Sequence, residues 1–196
     1  MATAPLLLAS ASPRRLDLLA QLGIAPDCVE NPEIDETPCR GELPRQLAER
    51  LADAKAASIA RTDCYVLAAD TVVAAGRRIL GKAETEQEAR AFLSLLSGRR
   101  HRVYTGIVLR TPAPAGGAPR VARRLCESVV TLARLEPARI DAYLATGEWR
   151  GKAGGYAIQG RAAGFVRFLS GSHSNVVGLP LFETAQLLRG LGYPVP

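Results

Sequence analysis

From its first apolar run onward, the chain alternates short continuous hydrophobic stretches with segments whose apolar positions recur every three or four residues. "PLLLAS" (5–10) has the pattern of a short buried strand, and residues 14–22 follow as a helix with Leu16, Leu19 and Leu22 on one face. Ser12-Pro13 opens that helix, because serine caps well and proline lacks only an N–H that would have no partner; Gly23 closes it. Beyond a proline-rich loop around "ENPEIDETPCR", residues 43–60 carry Leu47, Leu51, Ala54 and Ser58 at helical spacing. "CYVLAAD" (64–70) predicts a strand ending on an acid, "VVAAGRRILG" (72–81) a short hairpin, and 85–96 a helix with Ala89, Phe92, Leu93 and Leu96 inward.

The next two strands, "RVYTGIVLR" (102–110) and "RRLCESVVTLARL" (123–135), alternate over a length that needs an antiparallel partner. They are joined by "TPAPAGGAP" (111–119), expected as a mobile surface loop and not a domain linker. Residues 136–145 predict a helix opened by Pro137, "GEWRGKAGGYAIQGRAAG" (147–164) is too glycine-rich for regular structure, "FVRFLS" (165–170) is a strand, and 179–191 is a last helix after "GSHSNVVGLP". Alternating strands and helices with antiparallel strands in the middle predict an α/β fold: a mixed twisted sheet, flanking helices and a cleft.

Composition narrows the picture. The 196 residues suit one domain, 1–196, or two small lobes sharing a cleft, and 47% apolar with 22% charged residues excludes a disordered chain. No apolar stretch approaches the roughly 20 residues that span a bilayer, and no basic segment precedes "APLLLASAS", so no membrane association and a cytoplasmic location are expected. Cys28, Cys39, Cys64 and Cys126 form no C-x-x-C pair, which argues against zinc or a disulfide framework. With only two histidines, His101 and His173, any metal would be a hard cation on carboxylates and phosphates.

The net charge of +6 favours an acidic partner, and its makeup is more telling. All but three of the 25 basic residues are arginine. Lys55, Lys82 and Lys152 are therefore candidates for touching phosphate oxygens as compact point charges. There is no P-loop and no strand-linked G-x-G-x-x-G, so phosphate binding must be built otherwise. The strand–loop–helix at "SASPRR" offers a helix N-terminus beside Ser10, Ser12, Arg14 and Arg15; simple capping with solvated arginines is the alternative. Asp70, expected where the strand emerges at the sheet's edge, and Glu33, Asp35 and Glu36 of "EIDET" could hold magnesium with phosphate oxygens.

"LASASPRRLDLL", "IDE", "AKA", "AADTVV", "GKA", "LSGRRHRVYTG", "GKAGGYAIQG" and "GSHSNVVGLPL", in this order and spacing, resemble the Maf family of nucleoside triphosphate pyrophosphatases over nearly the whole chain. The resemblance implies a fold related to the inosine triphosphate pyrophosphatases, two lobes around a nucleotide cleft, a homodimer, and hydrolysis between the α and β phosphates with a divalent cation, Mg or Mn. "IQG" resembles the branch acting on dTTP and UTP. Carried over by motif, Asp70 matches the proton acceptor, and Arg14, Thr71 and Gln159 match positions linked to substrate choice. In this reading Asp70 activates water and shares the metal with Glu36. Ser10, Arg14, Arg15, Lys55 and Lys82 meet the triphosphate, which Lys152 can also reach. Gln159 reads uracil or thymine, its amide donating to a carbonyl and accepting from the ring N–H. Trp149, Arg150, Gly151, Ala83 and His173 depart from common family patterns. The alternatives are the same chemistry on CTP or a methylated purine, or a nucleic-acid-binding or regulatory module. "GRRHR" (98–102) fits the latter, but the 5% aromatic content is too low for a stacking platform and the segment reads as a solvated turn.

Overall fold

The computed structural model describes residues 4–114 and 117–196. Along the chain run β1 (Leu6–Ala9), α1 (Pro13–Gln21), β2 (Cys28–Glu30), α2 (Pro44–Ser58), β3 (Tyr65–Ala75), β4 (Arg78–Leu80), α3 (Glu86–Leu96), β5 (Arg100–Arg110), β6 (Val121–Leu132), α4 (Pro137–Leu144), β7 (Val166–Ser170), α5 (His173–Val177) and α6 (Leu181–Gly190). One seven-stranded sheet has the order β2-β1-β3-β5-β6-β7, with β4 on β3. β2, β1 and β3 are parallel, and the remaining pairings are antiparallel, as the mixed pattern predicts.

The hydrophobic pattern translates into cores at two ends of the shared long strands. At one end, Leu6, Leu8 and Leu67 pack against Leu18 and Leu19 of α1 and Leu187 and Leu188 of α6. On the opposite face of that end, Leu7 and Val66 lie under Ala52 and Ala56 of α2. At the other end, Val103, Val130 and Leu132 meet Leu93 and Leu96 of α3 and Ile140 and Tyr143 of α4. Gly106 lets α2 sit directly on β5, since a Cβ there would lie 2.4 Å from the Ala48 carbonyl oxygen.

β3 does not end at Asp70; it runs on to Ala75, and Gly76 (φ 62°) turns it into β4. On the edge away from β5, β1 covers Tyr65–Ala68 and β4 covers Val73–Ala75. Residues 69–72 between them have no strand partner there. Asp70 therefore sits at a break in the middle of the sheet, not at a strand terminus.

α1 closes as expected. Gly23 (φ 70°) donates to Ala20 O and Ile24 donates to Leu19 O, the paired bonds of a Schellman turn. Its buried face is Arg15, Leu18 and Leu19, while Leu16 and Leu22 are half-buried. β2 and α5 go beyond the sequence reading; each is too short to show a period. Residues 161–165 of the glycine-rich segment form a 3₁₀ turn. "GRRHR" is a solvated helix-to-strand turn only in part: Gly98 and Arg99 are exposed between α3 and β5, but β5 begins at Arg100 and His101 is buried in the core. The mobile surface loop expected at 111–119 includes residues 115 and 116, which lie outside the described residues.

Candidate active site

The uncovered edge of β3 opens into a cleft of about 420 Å³. Among the residues singled out from the sequence, Ser10, Ser12, Arg14, Arg15, Glu36, Lys55, Asp70, Thr71, Lys82, Lys152 and Gln159 line it, and Glu33 and Asp35 do not. Successive strand residues point to opposite faces, so only at an uncovered strand edge can Asp70 and Thr71 both reach one cavity.

On the α2 side, Lys55 projects from the last turn of the helix and is 7% exposed, as is Asp70. Its ammonium donates to Asp70 Oδ1 and lies 2.7 Å from Glu36 Oε1. Glu36 Oε2 in turn takes Lys82 Nζ at 2.8 Å. The chain Lys82–Glu36–Lys55–Asp70 thus alternates charge across the cleft. Partial burial works to raise the Glu36 pKa, but hydrogen bonds from Lys55 and Lys82 outweigh it and bring it down to about 2. Glu36 is held in place from behind: Arg50 of α2 grips both carboxylate oxygens of Glu42, at 2.7 and 2.9 Å, and donates to Thr37 O at 3.0 Å. Of the three acids in "EIDET" only Glu36 lines the cleft; Glu33 is exposed, and Asp35 accepts from the Thr37 backbone N–H.

On the α1 side, Arg15 is not a solvated arginine. It is 8% exposed and donates to Gly178 O (2.9 Å), Ser10 Oγ (2.8 Å) and Thr71 Oγ1 (3.4 Å), all neutral oxygens. Burial lowers its pKa from the ordinary value, and Asp70 opposes that. A buried guanidinium without a hydrogen-bonded carboxylate is electrostatically suited to an anion. Arg14 lines the same end, its pKa lowered by burial, and burial and Arg14 together lower that of Lys152, whose Nζ donates to Arg150 O.

The lining also includes the apolar side chains of Ile79, Leu80, Ile158, Val176 and Val177, together with Tyr156 and Gln159. Sequence reading did not single out Tyr156 and Ile158, although both belong to "GGYAIQG". Gly155 (φ 71°) allows this segment to approach α3, where a Cβ would meet the Ala89 backbone at 3.2 Å. Behind Tyr156 lies His101, with Nε2 2.7 Å from the phenol oxygen. Of the departures from family pattern, Trp149 is buried behind the loop, bonded to Leu144 O at 3.0 Å, and Arg150 stacks on its ring at 4.6 Å.

Glu36 and Asp70 are both within bonding distance of one ammonium, and the described residues contain no group of three or more His, Cys, Asp or Glu suited to a metal. Two carboxylates fit magnesium or manganese when phosphate oxygens and water complete the coordination, as Mg²⁺ prefers.

Fold and cleft together define a class: an α/β protein with a cavity beside an uncovered stretch of a mixed sheet, lined by both ionic and apolar side chains. Within that class, the chain belongs to the Maf family; residues 5–191 match the family model described as Maf-like protein. It is 59% identical over 191 residues to a protein named dTTP/UTP pyrophosphatase from Rhodospirillum rubrum, covering 96% of this chain and 89% of that one. A protein of the same name from Caulobacter vibrioides is 58% identical over 196 residues, covering 98% and 99%. A solved HAM1 protein from Coxiella burnetii aligns with TM-score 0.47 and 21% identity over 94% of this chain and 98% of that one. Among the described residues, no helix is long and apolar enough to cross a membrane.

Proposed function

We propose that the protein hydrolyses dTTP and UTP between the α and β phosphates, giving the nucleoside monophosphate and pyrophosphate. The observation that carries the reading is the lining of one cleft: the buried Arg15 and the alternating Lys82–Glu36–Lys55–Asp70 chain share it with apolar side chains and Gln159. The names of relatives such as those from Rhodospirillum rubrum and Maricaulis maris support it.

Ser10, Arg14 and Arg15 hold the triphosphate, with Lys152 in reach. Asp70 accepts the proton of a water that attacks phosphorus in line, as the phosphoanhydride bond breaks and its electron pair leaves with pyrophosphate. Lys55 and Lys82 neutralise the charge that grows there. Glu36 and Asp70 would hold a divalent cation, Mg or Mn, which supplies charge stabilisation on the phosphate oxygens. Gln159 reads the pyrimidine edge, and Thr71 and Arg14 help choose the substrate. The protein works as a cytoplasmic homodimer that removes unwanted nucleotides, and it binds no nucleic acid stably.

A panel of nucleoside triphosphates with magnesium, scored for pyrophosphate against orthophosphate, tests this. Preferential pyrophosphate release from dTTP and UTP is expected. Preference for CTP or a methylated purine overturns the base assignment, orthophosphate release overturns the cleavage position, and no turnover overturns the enzyme.

A further inference from the structure

Thr71 and Thr105 are register partners across β3 and β5, and their hydroxyl oxygens lie 3.0 Å apart. Thr105 is fully buried, whereas Thr71 lines the cleft. Counting donors and acceptors around Thr71 favours one direction for its proton. Arg15 Nη2, 3.4 Å from Thr71 Oγ1, can only donate. The single proton of Thr71 has two acceptors in reach, Thr105 Oγ1 at 3.0 Å and Gly178 O at 3.4 Å, and both are inside the protein.

The Thr105 proton has its own acceptor in the Asn175 carbonyl at 3.2 Å. That carbonyl is fixed, since the fully buried Asn175 side chain donates to Val103 O (3.2 Å) and Ser128 Oγ (2.9 Å). The direction Thr71→Thr105→Asn175 O uses both shorter contacts and satisfies the buried carbonyl. The reverse direction withdraws that donor from Asn175, leaving a buried carbonyl unsatisfied, and turns the Thr71 proton to Gly178 O or to the cleft.

We infer that Thr105 is a positioning residue: it draws the Thr71 proton inward, so that Thr71 presents to the cleft a hydrogen-bond acceptor held beside Arg15. The ligand group that matches is an O–H donor, either a sugar hydroxyl or the attacking water. A phosphate oxygen ionised at neutral pH has no proton to give and is turned away from Thr71 toward the guanidinium. This rests on the pyrophosphatase reading above.

The test compares Thr105→Val, Thr105→Ser, Thr71→Val and the double valine variant of the full chain on dTTP and on its 2′,3′-dideoxy counterpart. Thr105→Val is expected to lower kcat/KM for dTTP by roughly 10- to 100-fold and Thr105→Ser by less than about threefold. The double variant should be no worse than Thr71→Val alone, because both act through one interaction. Loss confined to dTTP assigns the donor to the sugar 3′-hydroxyl, and equal loss in kcat on both substrates assigns it to water. Wild-type activity in Thr105→Val, equal damage from serine and valine, or additive losses overturn the proposal. A readout independent of turnover is the Thr71 hydroxyl proton in selectively labelled protein. It should be protected from exchange in the wild type and unprotected in Thr105→Val, and rapid exchange in the wild type overturns the proposal. A wild type that hydrolyses no nucleotide while protecting that proton overturns the enzymatic reading alone.

Discussion

His101 Nε2 and the Tyr156 hydroxyl lie 2.7 Å apart, their rings edge to face with centroids at 5.4 Å, and this contact ties β5 to the segment carrying Lys152 and Gln159. The His101 Nδ1 is buried without a partner, so the phenol is that imidazole's one hydrogen bond. Tyr156→Phe keeps the ring but strands the imidazole, which should cost about 1–3 kcal/mol. The urea midpoint should fall accordingly, and KM for dTTP should rise with kcat little changed. An unchanged KM would separate the pair from Gln159.

The same imidazole sets an acid limit. Burial lowers the His101 pKa from 6.5 to about 4, so the folded state keeps it neutral where the unfolded chain takes up a proton. Its contribution is complete above pH 6.5 and is lost as pH falls toward 4, amounting to about 3 kcal/mol over that window. Unfolding free energy measured from pH 7 to 4 should show this slope. His101→Gln should flatten it relative to wild type, leaving the later loss from Glu36, whose depressed pKa keeps its contribution until pH drops below its unfolded value of 4.5.

Lys55 separates two carboxylates that would otherwise face each other. Lys55→Met should destabilise the free protein by about 2 kcal/mol, below the figure for a fully buried pair because Glu36 is half-exposed. Magnesium without nucleotide should restore part of this loss in thermal unfolding, and chelator should remove the restoration. A variant indifferent to magnesium would argue against Glu36 and Asp70 as a cation pair.

Asp70→Asn keeps the shape of the side chain but cannot take a proton. Pyrophosphate release should fall by at least about 10³-fold with circular dichroism unchanged. Activity near wild type would place the base elsewhere.

Gln159→Glu replaces an amide that both donates and accepts with a group that only accepts. The ratio of kcat/KM for dTTP over GTP should drop about 10-fold or more, with turnover of whichever triphosphate binds retained. An unchanged ratio would remove Gln159 from base reading.

Much of this architecture is legible in the residues themselves. Helical spacing from Leu47 to Leu51 points α2 at the sheet, and "SASPRR" marks a strand–loop–helix before any coordinate is known. What the sequence hides is set by neighbours. Asp70 looks like a strand end because the polar pair Asp70-Thr71 interrupts the apolar run, but β5 continues beside it and carries the strand to Ala75. For Arg15 the sequence offers a phosphate contact or solvent but not its burial, because nothing local reveals Gly178, 163 positions away, as its partner. His101 sits in a run of arginines that advertises solvent, and only the packing of Tyr156 shows that it faces inward.

The uncovered stretch of β3 between its partners β1 and β4 has a second significance. A strand edge with free backbone groups is ordinarily an invitation to another chain, and proteins blunt such edges with charge. Here the gap is recessed and flanked by Lys55, Lys82, Arg14 and Arg15, so a foreign strand would have to strip water from ammonium and guanidinium groups to pair with it. The charges gathered around the cleft thereby also oppose pairing by another chain at the one stretch of β3 left uncovered by β1 and β4.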